Sequence, residues 1–336
     1  MKILVTGGLG YIGSHTVVEL INNNYEVVII DNLSNSELFI LDNIEKITGV
    51  RPIFYNQDLL DFIKTNQIFK KEKIKGVIHF AAFKSVSESV KSPLKYYENN
   101  LLSLINILNA MKENNVSNFV FSSSCTVYGQ PDKLPVSESS PFKNAESPYA
   151  ESKQISEQII KDFTNSHYNI SSVSLRYFNP VGAHESALIG ELPKGVPDNL
   201  VPYITQTASG IREVLSVFGK DYNTHDGTAI RDYIHVEDLA KAHLKAFNFL
   251  NESEDKNIYE FFNVGTGIGY SVLDVINSFE NVNNLKLNYS FKDRRDGDIE
   301  QIYSDVIKSK KVLKWESERS LDDMMSSAWK WQKNLK

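Results

Sequence analysis

Three side chains in this sequence could together carry out acid–base chemistry. Tyr149 and Lys153 are four residues apart, and Ser124 lies upstream of them. On a helix, residues at this spacing share one face and lie about one turn, roughly 6 Å, apart along the axis. Because a nearby ammonium favours a phenolate, we predict that Lys153 lowers the pKa of Tyr149 from its usual value near 10. Tyr149 is therefore a candidate general acid or base, although the Tyr-x-x-x-Lys spacing alone is weak evidence.

A glycine-rich segment near the N-terminus predicts a nucleotide site that could serve this chemistry. The apolar residues 3–5 indicate a buried strand, and Gly7, Gly8, Gly10 and Gly13 follow it. These glycines match both G-x-G-x-x-G and G-x-x-G-x-x-G. Such a segment permits a tight turn and lets the backbone approach a pyrophosphate at the N-terminus of the next helix, which we predict to begin near residue 11.

Asp31 ends a second predicted strand, residues 27–30, and lies 18 residues after Gly13. A carboxylate near this spacing accepts hydrogen bonds from the adenosine ribose hydroxyls. It would also repel a 2′-phosphate, so the unit favours NAD over NADP. The alternative for Asp31 is an ordinary turn residue, which the order of strand, glycines, helix, strand and acid disfavours.

The first half of the chain continues to alternate strands with helices. We predict further strands at residues 52–55, 76–82, 118–124 and 171–178, with helices at 62–71, at 94–114 and from residue 148. This pattern predicts an α/β protein with a Rossmann-type doubly wound parallel sheet. Ligands bind such sheets at the carboxyl ends of the strands, where the glycines, Asp31, Asp58 and Ser124 all fall.

After residue 180 the alternation loosens, which predicts a smaller mixed α/β lobe. We expect an NAD-binding domain at 1–180 and a substrate domain at 181–336, with 231–250 a candidate to return to the first domain. Predicted elements are strands at 214–218, 231–235 and 261–264 and helices at 236–249, 271–279 and 321–331. Arg231 and the two arginines in the run 294–298 could clamp a phosphorylated ligand or form surface ion pairs, and the residues leave both open.

The composition excludes several classes of function. The 336 residues include 36 Lys+Arg and 42 Asp+Glu, and the net charge of −6 argues against nucleic acid or an anionic membrane as the main partner. Cys125 is the only cysteine, which rules out an intrachain disulfide and fits a reducing compartment. With no Cys/His cluster, no signal peptide and no membrane-length apolar run, we expect a cytoplasmic protein without a metal.

Long phrases of the sequence resemble the extended short-chain dehydrogenase/reductase family, and within it the UDP-glucose 4-epimerases. The resemblance runs nearly end to end and is carried by TGGLGYIGSHT (6–16), DNL (31–33), SSS (122–124), TVYG (126–129), YAESK (149–153), LRYFNPVGAH (175–184) and RDYIHV (231–236). It implies reversible interconversion of UDP-galactose and UDP-glucose at C4 through a 4-keto sugar, by a homodimer that holds NAD tightly as hydride acceptor and donor.

The resemblance also implies a role for each catalytic residue. Tyr149 would take the proton from the 4-hydroxyl of the sugar as hydride leaves C4. The keto sugar would then turn in the pocket and accept the hydride on its other face. Lys153 would lower the pKa of Tyr149 and hold the nicotinamide ribose, and Ser124 would hydrogen-bond the reacting oxygen.

By position, the resemblance implies two sets of ligand contacts in addition to Ser124 and Tyr149. The NAD contacts would include Lys153 together with Gly7, Gly10, Tyr11, Ile12, Gly13, Asp31, Asn32, Leu33, Ser34, Asn35, Ser36, Asp58, Leu59, Phe80, Ala81, Ala82, Lys84, Asn99 and Phe178. The UDP-sugar contacts would be Lys84, Asn179, Asn199, Leu200, Ser216, Val217, Phe218, Arg231, Arg295 and Asp298. In the family, one position limits the room for a 2-N-acetyl group on the sugar, and this chain has Ile302 there. The bulky side chain of Ile302 implies a preference for UDP-glucose and UDP-galactose.

Three other functions fit parts of the pattern. A nucleotide-sugar 4,6-dehydratase shares the fold and the Tyr/Lys pair, but that family carries an Asp-Glu pair after a Thr where this chain has Cys125 and Thr126. A UDP-glucuronate decarboxylase is disfavoured by the continuous epimerase-like phrases. A non-catalytic NAD-sensing regulator usually lacks the Tyr or the Lys, and this chain has both.

Overall fold

The computed structural model describes residues 1–167, 169–295 and 298–335. Asp296 and Gly297, which belong to the predicted arginine-containing run, lie outside the described residues. Within the described ranges, no helix combines the length and the low polarity that a membrane crossing requires.

Strands and helices alternate through the first half of the chain and are shorter and less regular in the second. The strands are β1 (Lys2–Thr6), β2 (Glu26–Asp31), β3 (Ile53–Asn56), β4 (Gly76–His79), β5 (Asn118–Ser122), β6 (Ser171–Tyr177), β7 (Asn179–Val181), β8 (Leu215–Phe218), β9 (Ile230–His235), β10 (Tyr259–Val264), β11 (Gly269–Ser271), β12 (Tyr289–Lys292) and β13 (Gln301–Ile302). The helices are α1 (Tyr11–Asn22), α2 (Phe39–Thr48), α3 (Phe62–Glu72), α4 (Val86–Lys91), α5 (Pro93–Glu113), α6 (Pro148–Ser166), α7 (Leu200–Ala208), α8 (Val236–Glu252), α9 (Val272–Asn283) and α10 (Leu321–Asn334). A 3₁₀ helix, Cys125–Tyr128, follows β5, and a π-helical turn, Ser309–Leu313, precedes α10.

The main sheet confirms the predicted doubly wound fold. Its strand order is β10-β6-β5-β4-β1-β2-β3, and each pair of neighbours is parallel. The central strands are buried throughout because helices cover both faces of the sheet, as parallel sheets require. The strand order reverses between β1 and β4, which is where a sheet of this type opens a crevice for a ligand.

The main sheet takes its outermost strand from far along the chain. β10 pairs with β6 in parallel register, from Tyr259 opposite Ser172 to Val264 opposite Tyr177. α8 precedes β10 and packs against α1 and against strands β5 and β6. His235 begins α8, and its ring accepts a hydrogen bond from the backbone N–H of Glu237. The chain therefore leaves the main sheet after β6 and comes back to it after β9.

The remaining elements form a smaller unit with its own core. β9 lies between β11 and β13 and also pairs with β7, while β8 pairs with β12. The helices α7, α9 and α10 pack beside these strands. Apolar side chains fill the space between them, including Ile204, Val217, Phe279, Met324 and Met325. β9 is thus the central strand of the smaller unit, and β7 connects it to the end of β6.

Two predicted strands end earlier in the structure than in the sequence pattern. The apolar run 76–82 stops pairing at His79, and the run 118–124 stops at Ser122. The residues after these ends leave the sheet as loops. Residues 80–82 continue the apolar pattern because they are partly buried, and Ser123 and Ser124 are buried polar residues.

Candidate active site

The predicted site residues of the first 180 positions surround one edge of the main sheet. The glycine segment follows β1, Asp31 ends β2 and Asp58 follows β3. Phe80 to Lys84 follow β4, and Ser124 follows β5. In parallel strands these carboxyl ends lie side by side, and the reversal of strand order between β1 and β4 separates the loops there. One crevice therefore collects residues from five different strand ends.

Helix α6 carries the Tyr149 and Lys153 pair, and its start is fixed by the local sequence. Ser147 caps the helix, with its hydroxyl accepting a hydrogen bond from the Ala150 N–H at 3.2 Å, and Pro148 occupies the first turn. Lys153 is 4% exposed, and its Nζ donates to the Ser122 carbonyl at 2.6 Å. The same ammonium lies 5.9 Å from the centre of the Tyr149 ring. The helix therefore faces the end of β5 with both side chains.

Ser124 stands at the start of the 3₁₀ helix that follows β5. Its Oγ accepts a hydrogen bond from the Thr126 N–H at 3.2 Å, which leaves the hydroxyl proton available to donate. Hydrogen bonding to Ser124 acts to lower the pKa of Tyr149, as expected when a hydroxyl donates to the phenol oxygen. The structure thus brings Ser124, Tyr149 and Lys153 into one group.

The predicted fall in the pKa of Tyr149 is wrong. Burial of the phenol raises the pKa well above its usual value, and Tyr177 adds to the increase. The Lys153 ammonium, which donates to the Ser122 carbonyl, does not outweigh the effect of burial. The spacing of the pair along the helix is correct, but it carries no information about how deeply the phenol is enclosed.

Burial also changes the titration of Lys153. It lowers the pKa of this ammonium to about 8, against an opposing contribution from the Glu157 carboxylate one helical turn further along α6. At neutral pH Lys153 is thus still mostly protonated. It supplies a positive charge beside a tyrosine that holds its proton.

The glycine segment forms a cradle that fits a dinucleotide pyrophosphate. Gly10 caps α1 without a side-chain hydrogen bond, and no acidic residue lies in the first turn. The first backbone N–H groups of the helix therefore face the crevice unpaired by side chains, as an anion site requires. A Cβ atom on Gly13 would lie 2.2 Å from the Gly7 carbonyl oxygen, so the turn closes too tightly for any other residue.

We expect Gly13→Ala to lower both stability and NAD retention, because the colliding atom belongs to rigid backbone. Overpacking of this kind costs about 1–3 kcal/mol. Gly10→Ala is the control and should have a smaller effect, since its Cβ would lie 3.2 Å from the same carbonyl. Thermal melting and the NAD released on denaturation would be measured for both variants. Equal NAD content in Gly13→Ala and the wild type would contradict the cradle.

Asp31 is held in place by the loops on either side of it. Its Oδ2 accepts from the Leu9 N–H at 3.1 Å, and its Oδ1 accepts from the Leu33 N–H at 2.9 Å and the Ser36 hydroxyl at 2.8 Å. The carboxylate thus links the glycine segment to the loop after β2. Asp58 lies beside this loop, where its Oδ2 accepts from the Asn32 amide at 3.0 Å. Both acids retain lone pairs that could accept ribose hydroxyls.

The smaller unit contributes a second group of charged and aromatic residues. Arg231 on β9 donates to Asp298 at 2.5 Å, and the Tyr222 hydroxyl reaches the same carboxylate at 3.4 Å. The guanidinium of Arg295 lies 4.0 Å from the centre of the Phe218 ring. Four predicted contact residues therefore fall into two pairs, one ionic and one between a cation and an aromatic ring. The sequence left open whether these arginines bind a phosphorylated ligand or form ion pairs. Arg231 does form an ion pair, with Asp298.

Glu191 was not predicted from the sequence, yet it contacts two of the predicted site residues. Its Oε1 accepts from the Lys84 ammonium at 3.0 Å and from the Asn199 amide at 2.7 Å. Lys84 follows β4 and Asn199 begins α7, so the carboxylate bridges the two parts of the chain. No motif or spacing points to Glu191. Only the contact with two residues from the predicted set identifies it.

Other predicted contacts lie in several surroundings. Phe178 is 5% exposed and packs with Ile302 and Cys125. Leu59 belongs to the core beneath β1 and β4, and the Asn99 amide donates to Asn100 at 3.0 Å. On β8, Val217 points into the core of the smaller unit, so Ser216 and Phe218 are the partly exposed side chains. Asn179 lies on β7 opposite Tyr233, and Leu200 opens α7.

The chain is similar to known proteins over its whole length. A family model described as GDP-mannose 4,6 dehydratase matches residues 4–328. A UDP-glucose 4-epimerase of Pasteurella multocida is 52% identical over 333 residues, which cover 99% of this chain and 98% of the relative.

Two solved structures are similar as well. UDP-glucose-4-epimerase from Stenotrophomonas maltophila, with bound NAD and formylated UDP-arabinopyranose, has a TM-score of 0.97 and 44% identity, covering 100% of this chain and 98% of the other. UDP-glucose 4-epimerase from Bifidobacterium longum, in complex with NAD+ and UDP, has a TM-score of 0.95 and 45% identity, covering 100% and 99%.

Proposed function

Because the chain belongs to the UDP-glucose 4-epimerase family, it interconverts UDP-galactose and UDP-glucose at C4 with NAD, and we propose that Tyr149 is the acid–base residue of this reaction. The observation that supports the proposal is the grouping of Tyr149 with Ser124 and Lys153 at the end of β5. A phenol, a hydroxyl donor and an ammonium meet there at the crevice of the main sheet.

Each of these side chains would act on the oxygen at C4 of the sugar. In its protonated form Tyr149 can donate to the oxygen of a 4-keto sugar, and as the phenolate it would take the proton from a 4-hydroxyl in the other direction. Lys153 provides the positive charge that a phenolate requires in a buried place. The Ser124 hydroxyl, free to donate, would hold the same oxygen.

The residues at the strand ends would hold the cofactor. The N-terminus of α1 fits the pyrophosphate, and Asp31 fits the adenosine ribose. When bound, NAD supplies the acceptor and donor of the hydride at C4. The side chains Asn32, Ser34, Asn35 and Ser36 lie in the loop after β2, where they would close over the adenosine. The Asp31 carboxylate would oppose a 2′-phosphate by charge repulsion, which supports NAD over NADP.

The smaller unit would bind the UDP part of the substrate. Arg231 and Arg295 carry the charge that a diphosphate needs, and a planar guanidinium can bind two phosphate oxygens at once. Asp298, a further predicted UDP-sugar contact, pairs with Arg231 and orients its guanidinium. Ser216 and Phe218 on β8 and Asn199 at α7 would line the same part of the crevice.

Epimerisation is favoured over dehydration by the residues that follow Ser124. A 4,6-dehydratase must remove water, which requires a further acid and base, whereas Cys125 and Thr126 offer a thiol and a hydroxyl. Burial raises the pKa of the Cys125 thiol to about 12, so it stays neutral and cannot replace a carboxylate. The match to the dehydratase family model thus agrees with the shared fold and not with the chemistry at this strand end.

The test is an incubation of the purified protein with UDP-galactose and no added cofactor. Formation of UDP-glucose to an equilibrium ratio would support both the reaction and retained NAD. No conversion, even with NAD supplied, would contradict the function and favour another nucleotide sugar or a regulatory role.

We propose that Ile302 limits the size of the group at C2 of the sugar. It is 3% exposed, packs with Cys125 and Phe178, and pairs across the strands with Arg231. We expect slow conversion of UDP-N-acetylgalactosamine by the wild type and at least about a tenfold gain, relative to UDP-galactose, in Ile302→Ala. Ile302→Val is the matched variant with a small change in volume. An unchanged ratio in a folded Ile302→Ala protein would argue against this role.

We further propose a homodimer, a cytoplasmic location and a division of the chain near residue 180. The outer face of α5 supports the homodimer, because its apolar residues Leu94, Leu102 and Ile105 are 79%, 40% and 38% exposed.

The single cysteine, which is free, supports the cytoplasmic location. In the proposed division, α8 and β10 belong to the NAD-binding part. A light-scattering mass near twice 38.1 kDa would test the dimer.

A further inference from the structure

A buried ion pair lies behind the catalytic residues. Glu157 on α6 and Arg176 on β6 have side chains 3% and 4% exposed. Arg176 binds both carboxylate oxygens, with Nη2 at 2.6 Å from Oε2 and Nε at 2.9 Å from Oε1. Apolar residues can replace such pairs without loss of stability, so stability alone is a weak reason for a charged pair in this position.

The carboxylate of Glu157 contacts the segment that carries the catalytic serine. Ser123 Oγ donates to Glu157 Oε1 at 2.5 Å. Ser123 lies between Ser122, whose carbonyl accepts from Lys153, and Ser124. Glu157 is also one helical turn after Lys153 and two turns after Tyr149. One carboxylate therefore fixes the end of β5 against the helix that carries the other two catalytic residues.

Arg176 extends this network to the other side of Ser124. Its Nη1 donates to the Tyr128 hydroxyl at 3.0 Å, and that hydroxyl donates to the Asn263 amide oxygen at 2.7 Å. Tyr128 ends the 3₁₀ helix that begins directly after Ser124. The guanidinium also lies 4.2 Å from the centre of the Phe261 ring. The turn that presents the Ser124 hydroxyl is thus fixed by hydrogen bonds on both sides, through Ser123 before it and through Tyr128 after it.

We propose that Glu157, held by Arg176, is a positioning residue for epimerisation, which fixes the Ser123–Ser124 turn against Tyr149 and Lys153. This inference rests on the proposed roles of those residues. The carboxylate also acts on charge, because it opposes the effect of burial on the pKa of Lys153. Titratable groups that also face Lys153 are Tyr149 on its own helix and His79 on β4, and Tyr177 on β6 acts on Tyr149.

The test compares Glu157→Gln with Glu72→Gln in the NAD-containing protein. The first substitution keeps a side-chain oxygen for Ser123 and removes the charge. Glu72 is also a buried acid, but it ends α3 and contacts Lys2 and Tyr55, outside this network. For Glu157→Gln we expect at least about a tenfold fall in kcat, an unchanged KM for UDP-galactose and an alkaline decline in rate that begins at a lower pH than in the wild type. Glu72→Gln should keep the wild-type kcat and pH profile.

A second readout does not depend on activity. In protein labelled with ¹³C at the lysine Cε, the signal of Lys153 should titrate at lower pH in Glu157→Gln than in the wild type. If Glu157→Gln is unfolded, the double variant Glu157→Met with Arg176→Met, which replaces the pair by apolar side chains, should fold and show the same defects. A folded variant with the wild-type kcat, pH profile and Lys153 titration would overturn the proposal. Absence of turnover in the wild type would instead contradict the proposed function.

Discussion

Replacing Tyr149 with Phe is expected to lower kcat by about 10²–10⁴-fold while the purified protein keeps its NAD. The ring would still fill its place at the start of α6, but no group would remain to give a proton to the C4 oxygen or take one from it. Initial rates with UDP-galactose, normalised to NAD content, would measure the effect. The KM should change little, because the hydroxyl acts mainly in the transition state.

Tyr25→Phe is the control for loss of a tyrosine hydroxyl. Tyr25 precedes β2, at the end of the main sheet opposite the crevice, and its hydroxyl donates to Asn248 at 2.7 Å. This variant should keep the wild-type kcat. Near-normal turnover in Tyr149→Phe would remove Tyr149 from the mechanism and direct attention to another proton donor in the crevice.

A second large effect is expected on stability at acid pH. His15, His79, His235 and His243 are 2%, 2%, 1% and 0% exposed, and burial lowers their pKa values to about 3, 3, 3 and 4. Below a pH of about 6.5 the unfolded chain binds protons at these rings and the folded chain does not. The free energy of unfolding should therefore fall by about 1.4 kcal/mol per pH unit for each ring, or about 5 kcal/mol per pH unit for the four together, between about pH 6 and pH 4.5.

Urea unfolding at a series of pH values would measure this slope. His243→Gln should remove about one quarter of it, because one of the four rings no longer titrates. The His243 Nδ1 bonds to the Leu239 carbonyl, and Nε2 has no partner among the described residues. His225→Gln is the control, since the His225 side chain is 56% exposed. A stability that is flat across this range of pH would show that these rings accept protons without unfolding.

Local patterns in the sequence predicted the main sheet well. Short apolar runs such as residues 27–30 and 118–121 bury both faces, and the glycines after β1 admit few other structures. α2 and α7 were not predicted, although both carry apolar residues at helical spacing. β11 and β13 are two or three residues long and exist only because β9 lies between them, so no local pattern can reveal them.

The pKa of Tyr149 shows where reasoning from spacing fails. The four-residue spacing correctly placed Lys153 beside the ring, and a charge at that distance favours a phenolate. Burial has the opposite effect and is larger, yet it depends on residues from β5 and β6 that pack around the phenol. Burial is a property of the fold, so a pairwise argument along one helix could not include it.

Contacts between residues far apart in the sequence could not be predicted from local patterns either. Glu191 contacts Lys84 across 107 positions, and Arg176 reaches Glu157 from a different element. Nothing in the neighbourhood of either acid distinguishes it from a solvent-exposed glutamate. The family resemblance supplied positions for substrate contacts, but it did not supply the residues that hold those contacts in place.

The late arrival of β10 has a consequence for synthesis on the ribosome. Residues 1–180 contain the other strands of the main sheet, but β6 has no outer neighbour until Tyr259–Val264 has been made. During that interval β6 is an exposed strand edge, which can pair with another nascent chain. A shortened gene that stops near residue 180 should therefore yield an aggregating product rather than an isolated nucleotide-binding domain.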